Sequence, residues 1–137
     1  MKSFLLAYAG TFLSFLAVDA IWLGIVARTF YRDQLGDLML ESPNLGIAAV
    51  FYIVFAAAVV LLAVMPGLKG GSIWVAVGYG AVLGLAAYGT YDITNLATLK
   101  NWPVTMSIVD MIWGTFITGL ASGCGYAASR FFASSPA

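Results

Sequence analysis

Four long apolar runs constrain this chain more than any other feature: Phe4 to Ala27, Gly46 to Met65, Ile73 to about Leu96, and Val104 to about Ala128. About 20 apolar residues at ~1.5 Å per residue span a hydrocarbon core of ~30 Å, so each run is long enough to cross a bilayer. Backbone groups in lipid must pair within their own segment, which leaves helices. The expected fold is an all-α membrane protein, one four-helix transmembrane domain over residues 1–137. The start, "MKSFLLAYAG", also fits a signal peptide with "AVDA" as its cleavage site, but apolar residues continue to Val26 and make a full span.

The composition narrows the chemistry. Hydrophobic residues make up 62% of the chain and charged residues 9%, so every polar group inside a span needs a reason. Histidine is absent and Cys124, the one cysteine, lies within the fourth run. Haem, zinc, iron–sulfur and disulfide chemistry lose their usual ligands, and no cofactor or metal is expected. Net charge is zero, which gives nucleic acid nothing to bind.

Two connections read as tight turns, "PGLKGGS" between the second and third runs and "LKNWP" between the third and fourth. Pro66, Gly67, Gly70 and Gly71 should stop the second helix, and Ser42 and Pro43 suit its start. The longer link, "RTFYRDQLGDLMLESPN", carries Phe30 or Tyr31, Leu35, Leu38 and Met39 at helical spacing, with Asp33, Asp37 and Glu41 as an acidic i, i+4 stripe. It predicts a short amphipathic helix at the membrane surface between the first two spans. Lys2, Lys69 and Arg130 fall on the face that carries both ends of the sequence, and Arg28, Arg32 and Lys100 on the other. The usual excess of positive charge on the cytoplasmic side is missing. Either a feature outside that rule decides orientation, or the chain inserts both ways and pairs with its own inverted copy as an antiparallel homodimer.

Asp19, Asp92 and Asp110 are the charged residues deep within the runs. Asp19 is nine residues from Arg28, Asp92 eight from Lys100 and Asp110 seven from Pro103. All three then sit roughly 10–13 Å below the surface that carries the amphipathic link. A hairpin turning near Lys100 and Asn101 sets Asp92 opposite Asp110. Ala76, Gly80, Gly84, Tyr88 and Asp92 follow at i+4, as do Asp110, Gly114, Thr118 and Ser122, two small-residue stripes along which helices can approach closely. Helical spacing places Asn95 and Tyr88 on the Asp92 face. Thr90, Thr94 and Thr98 can bond back to carbonyls one turn earlier and need no further role.

"DAIW" and "DMIW" put Trp22 and Trp113 three residues after Asp19 and Asp110, on the same helical face. One reading makes the indoles and the tyrosines Tyr88 or Tyr91 structural partners of the carboxylates. Against it stands the cost of an ionised Asp at mid-bilayer, ~2.5–3.5 kcal/mol on insertion scales. Carboxyls at one depth cannot all ionise cheaply, so at least one is expected to keep its proton at neutral pH, with Arg28 as the cation able to reach inward.

At "VDAIWLG", "YDITNLATLKNWP" and "DMIWGTFITG" the chain resembles the bacterial domain-of-unknown-function family 2177, small four-helix inner-membrane proteins. The resemblance covers nearly the whole length. It implies a multi-pass protein of the bacterial inner (cytoplasmic) membrane in a lipid-related setting, and it brings no established activity to any position. Three functions are weighed. The residues favour binding or translocation of a small polar or cationic solute, or of protons, at Asp19, Asp92, Asp110, Asn95, Tyr88, Trp22, Trp113 and Arg28. A non-catalytic accessory subunit in lipid modification, with structural aspartates, is the alternative. An enzyme could use the Asp pair with Tyr88 or Tyr91 as acid and base, but no nucleophile or metal ligand accompanies them and no catalytic residue is assigned. The ligand itself is not legible.

Overall fold

The computed structural model of the chain describes residues 1–133. Its helices are α1 (Lys2–Ile25), α2 (Ala27–Leu35), α3 (Leu45–Val59), α4 (Met65–Gly70), α5 (Ile73–Thr98) and α6 (Val104–Ala133). A π turn over Val60–Val64 joins α3 to α4, so Leu45–Gly70 forms one span. Together with α1, α5 and α6 it gives four helices long and apolar enough to cross a membrane. The chain is therefore an all-α bundle of four spans.

The second span departs from expectation at both ends. Asn44, not Ser42 or Pro43, caps α3, its side-chain oxygen accepting from the Ile47 N–H at 3.1 Å; an Asn one residue before the helix reaches the unpaired N–H groups of the first turn. Pro66 does not stop the span. It follows a π turn in which the Met65 N–H bonds the Val60 carbonyl, and the widened turn takes in a residue that has no N–H to give. The stop comes at Gly71, left-handed at φ 66°. Gly71 N–H bonds Leu68 O at 3.3 Å and Ser72 N–H bonds Gly67 O at 3.0 Å, the paired bonds that close a helix through a residue most side chains avoid.

The amphipathic link is shorter than its pattern. After Val26 the chain passes directly from α1 into α2, which buries Ala27, half-buries Phe30, Tyr31, Gln34 and Leu35, and exposes Arg28, Arg32 and Asp33. Gly36 at φ 55° ends it, and a single tight turn, Gly36–Leu38, follows. Asp33, Asp37 and Glu41 therefore do not share one helical face, and Leu38 is exposed.

Packing centres on α6, which α5 and α1 flank. Small residues set the spacing. A Cβ on Gly80 would lie 2.7 Å from Ser122 Cβ and one on Gly84 2.8 Å from Thr118 Cβ, while Gly114 faces the Tyr88 ring. The two stripes thus meet as their spacing required. On the other side Gly10 faces Ala128 and Gly125 faces Ala7 and Thr11. The fully buried Val59, Val60, Ala63, Val64, Ala76 and Ile117 close the core between the π turn, α5 and α6.

Candidate functional site

Asp19 and Asp110 share a cleft with Ala27, Tyr31 and Leu35 of α2. Thr90, Thr94 and Thr98 each donate to the carbonyl four residues earlier, Thr90 to Ala86 O at 2.6 Å and Thr98 to Thr94 O at 2.7 Å, with Thr94 bonded to Thr90 O. These hydroxyls are satisfied within α5 and stay outside the site. The aspartates are not.

Asp19 is buried on α1 and accepts two hydrogen bonds, from the Tyr52 hydroxyl at 2.6 Å and from Trp113 Nε1 at 3.2 Å. Three elements, α1, α3 and α6, meet on this carboxylate. Asp110 Oδ1 accepts from the Tyr31 hydroxyl at 2.7 Å, and that oxygen in turn accepts from Trp22 Nε1 at 3.3 Å. The surface helix α2 is tied to α6 through this relay. Burial, then the hydrogen bond to Asp110, pushes the Tyr31 phenol above its ordinary range, so it remains a donor.

Asp92 is fully buried, and neither of its oxygens has a donor. Its acidic neighbour is Asp110. Asp92 thus lies opposite Asp110 across the α5–α6 hairpin, and the turn that brings them together depends on Asn101, left-handed at φ 61° as asparagine tolerates.

Trp22 and Trp113 stack face to face with ring centroids 4.2 Å apart and planes within 9°. Their hydrogen bonds cross over. Trp113 follows Asp110 in sequence but bonds Asp19, and Trp22 follows Asp19 but bonds Tyr31.

These groups line a cleft of about 300 Å³ that contains Asp19, Trp22, Tyr31, Tyr88, Asp110 and Trp113, with Ala27, Leu35 and Met39 of the link and Tyr52 and Tyr91 completing its wall. Of the residues singled out by sequence, Asp92 stands behind Asp110 and does not line it. Asn95 is half-buried on α5, outside the lining, and Arg28 is exposed and lines nothing here. α2 turns its Ala27, Tyr31 and Leu35 face to the cleft, and Arg28, about 100° round the helix from Ala27 at about 3.6 residues per turn, is left exposed at the side of that face. Among the described residues no group of three or more metal-binding side chains gathers.

Sequence reasoning missed the donors Tyr52 and Tyr31. Tyr52 was findable, since it is the one residue with a hydroxyl, amide or charge between Gly46 and Met65. Tyr31 was read as part of an apolar face; that its hydroxyl reaches α6 depends on how α2 folds back.

No curated protein matches the chain. Neither does any solved structure. A family model described as a predicted membrane protein, DUF2177, matches residues 4–127. That span takes in all three aspartates, both tryptophans of the stack and the two tyrosine donors, and on this match the chain belongs to the DUF2177 family of membrane proteins.

Proposed function

We propose that the aspartate cleft binds a small polar or cationic solute and exchanges protons on the Asp92–Asp110 pair, so that binding or translocation of that solute is the chain's role. The observation that supports this is a cleft lined by two carboxylates and no basic side chain, with a third carboxyl packed behind them and lacking any donor. One proton between Asp92 and Asp110 reconciles two neighbouring acids without a counter-ion. An arriving cation can replace that proton. Ionisable groups inside a span commonly serve such exchange.

Asp19 supports a second reading at its own position. With Tyr52 and Trp113 both donating to it, this carboxylate has the partners of a structural bond, as an accessory subunit would need. The two readings separate by variant. In vesicles loaded with a pH-sensitive dye, methylammonium added at a pH where it is charged should release protons from wild type. Asp92→Asn and Asp110→Asn should fold and lose that release, whereas Asp19→Asn should mainly lose stability. Proton release unchanged in both Asp92→Asn and Asp110→Asn would sink the exchange site.

A further inference from the structure

The cleft does not end at its carboxylates. A second cavity of about 360 Å³, lined by Phe51, Tyr52, Phe55, Ala87, Tyr88, Tyr91 and Asp110, shares Tyr52, Tyr88, Tyr91 and Asp110 with the first. Its remaining walls are apolar. The cause lies in the second span. Its π turn and α4 pack closely on α5, but α3 has no comparable contact with α5 among the described residues. The two helices therefore part above the π turn. Phe51, on the rim, is 55% exposed, and the outward face of a four-span bundle is hydrocarbon. The gap is a side window from the acidic cleft into lipid.

Resting on the acidic cleft as a solute site, we infer that the ligand is a single-chain amphiphile with an ammonium head, the head at Asp110 and the tail lying through the α3–α5 window. Charge selects the head. The cleft holds Asp19 and Asp110 and no basic residue, so a phosphate-bearing headgroup would face two carboxylates with no cation to offset them, while an ammonium meets a carboxylate and aromatic faces. Tyr31 occupies Asp110 Oδ1, and among the described residues no phenol, indole or backbone N–H donates to Oδ2. Shape selects the tail. A solute without one would leave the groove along Phe51, Phe55 and Ala87 unfilled, and apolar contact there adds affinity with each methylene. Both cavities fall at the small end of the ~300–1,000 Å³ common to ligand sites.

The test uses the full chain in lipid nanodiscs, with empty nanodiscs subtracted and with Trp74 and Trp102 replaced by Phe so that the fluorescence reports Trp22 and Trp113. Methylammonium, dodecylammonium and dodecanol are titrated against wild type, Asp110→Asn and Ala87→Phe. Dodecylammonium should bind at least ~10-fold tighter than methylammonium, well within what its extra methylenes can supply. Ala87→Phe, which narrows the window, should erase that advantage. Asp110→Asn should weaken both amines. Equal affinity of the two amines, or an Ala87→Phe variant that keeps the chain-length advantage, overturns the amphiphile while the acidic site stands. Dodecanol binding as tightly as dodecylammonium overturns the ammonium head. Amine binding that survives Asp110→Asn unchanged overturns this proposal and the acidic site together.

Discussion

Trp113 donates its indole N–H to Asp19 at 3.2 Å, across 94 positions of sequence, although Asp110 lies three residues before it on the same helix. The bond joins α6 to α1 and leaves Asp110 for Tyr31. This crossing divides the three aspartates by role: Asp19 has two donors, Asp110 has one on a single oxygen, and Asp92 has none. A carboxylate with its donors in place resembles a fastening. Asp92, with none, is fully buried and outside the cleft lining.

Removing a donor from Asp19 should therefore weaken the fold. Trp113→Phe and Tyr52→Phe are each expected to cost about 1–3 kcal/mol, the range for a buried acceptor that loses a partner. Denaturant titration in mixed micelles measures both, and the double variant should show coupling because both bonds end on one carboxylate. Losses within error for both single variants would contradict the fastening role.

Asp92→Asn should behave in the opposite sense. Its amide supplies an N–H donor to Asp110 where the acid had none to give unless protonated, so stability should hold or rise by about 1 kcal/mol. The same measurement that detects a loss at Trp113 checks this. A loss of several kcal/mol in Asp92→Asn would mean that the carboxyl has a structural partner.

The close approach of α5 and α6 predicts a contrast between two glycines on one helix. A Cβ at Gly84 meets the Gly114 carbonyl and the Thr118 side chain, whereas one at Gly78 meets nothing within 4 Å. Gly84→Ala should cost roughly 1–3 kcal/mol by overpacking. Gly78→Ala should be neutral or slightly stabilising, because alanine restricts the unfolded chain. Reading the two side by side in the same micelles controls for membrane-mimetic effects.

Tyr31 gives a pH dependence with a definite sign. Its phenol is pushed above the ordinary value of 10.0 in the folded protein, by burial first and by Asp110 second. A group whose folded value is raised contributes stability that is complete below its unfolded value and lost as pH climbs through the folded one. Wild type should thus lose more stability than Tyr31→Phe as pH rises above 10.0, with the two curves parallel at neutral pH. Parallel curves throughout the alkaline range would contradict the Tyr31–Asp110 bond.

Orientation should be easily altered. Lysines and arginines divide three against three between the two faces, and positive residues near span ends dominate insertion. Reporter fusions following the last helix should show a mixed or readily inverted population. A lysine pair added near Lys69 should draw that face to the cytoplasm, and one added near Lys100 should invert the chain. A single orientation insensitive to both additions would remove the basis for an antiparallel dimer.

Much of this architecture was legible in sequence because lipid imposes one-dimensional rules. Length and apolarity alone identify spans, since an unpaired backbone in hydrocarbon is too costly to permit other forms. Counting residues from each turn placed Asp19, Asp92 and Asp110 at one level, since a helix rises by a constant amount per residue. Glycines at i+4 marked the α5–α6 contact, since four residues return nearly to one helical face. Boundaries were less legible: Asn44 replaced Ser42 as cap, and Pro66 proved compatible with its span because the chain widened into a π turn ahead of it.

Tertiary structure alone decided which donor meets which carboxylate. Nothing in "DAIW" or "DMIW" says that Trp113 will bond Asp19 and Trp22 will bond Tyr31, because hydrogen bonds between helices depend on rotation and offset, which no single helix contains. It also decided that Arg28 stays outside the cleft and that α3 parts from α5 to leave a window. Sequence set the spacing of each acid from its nearest turn, a property of each helix by itself. Their partners and their access to lipid arise between helices, where packing sets the distances.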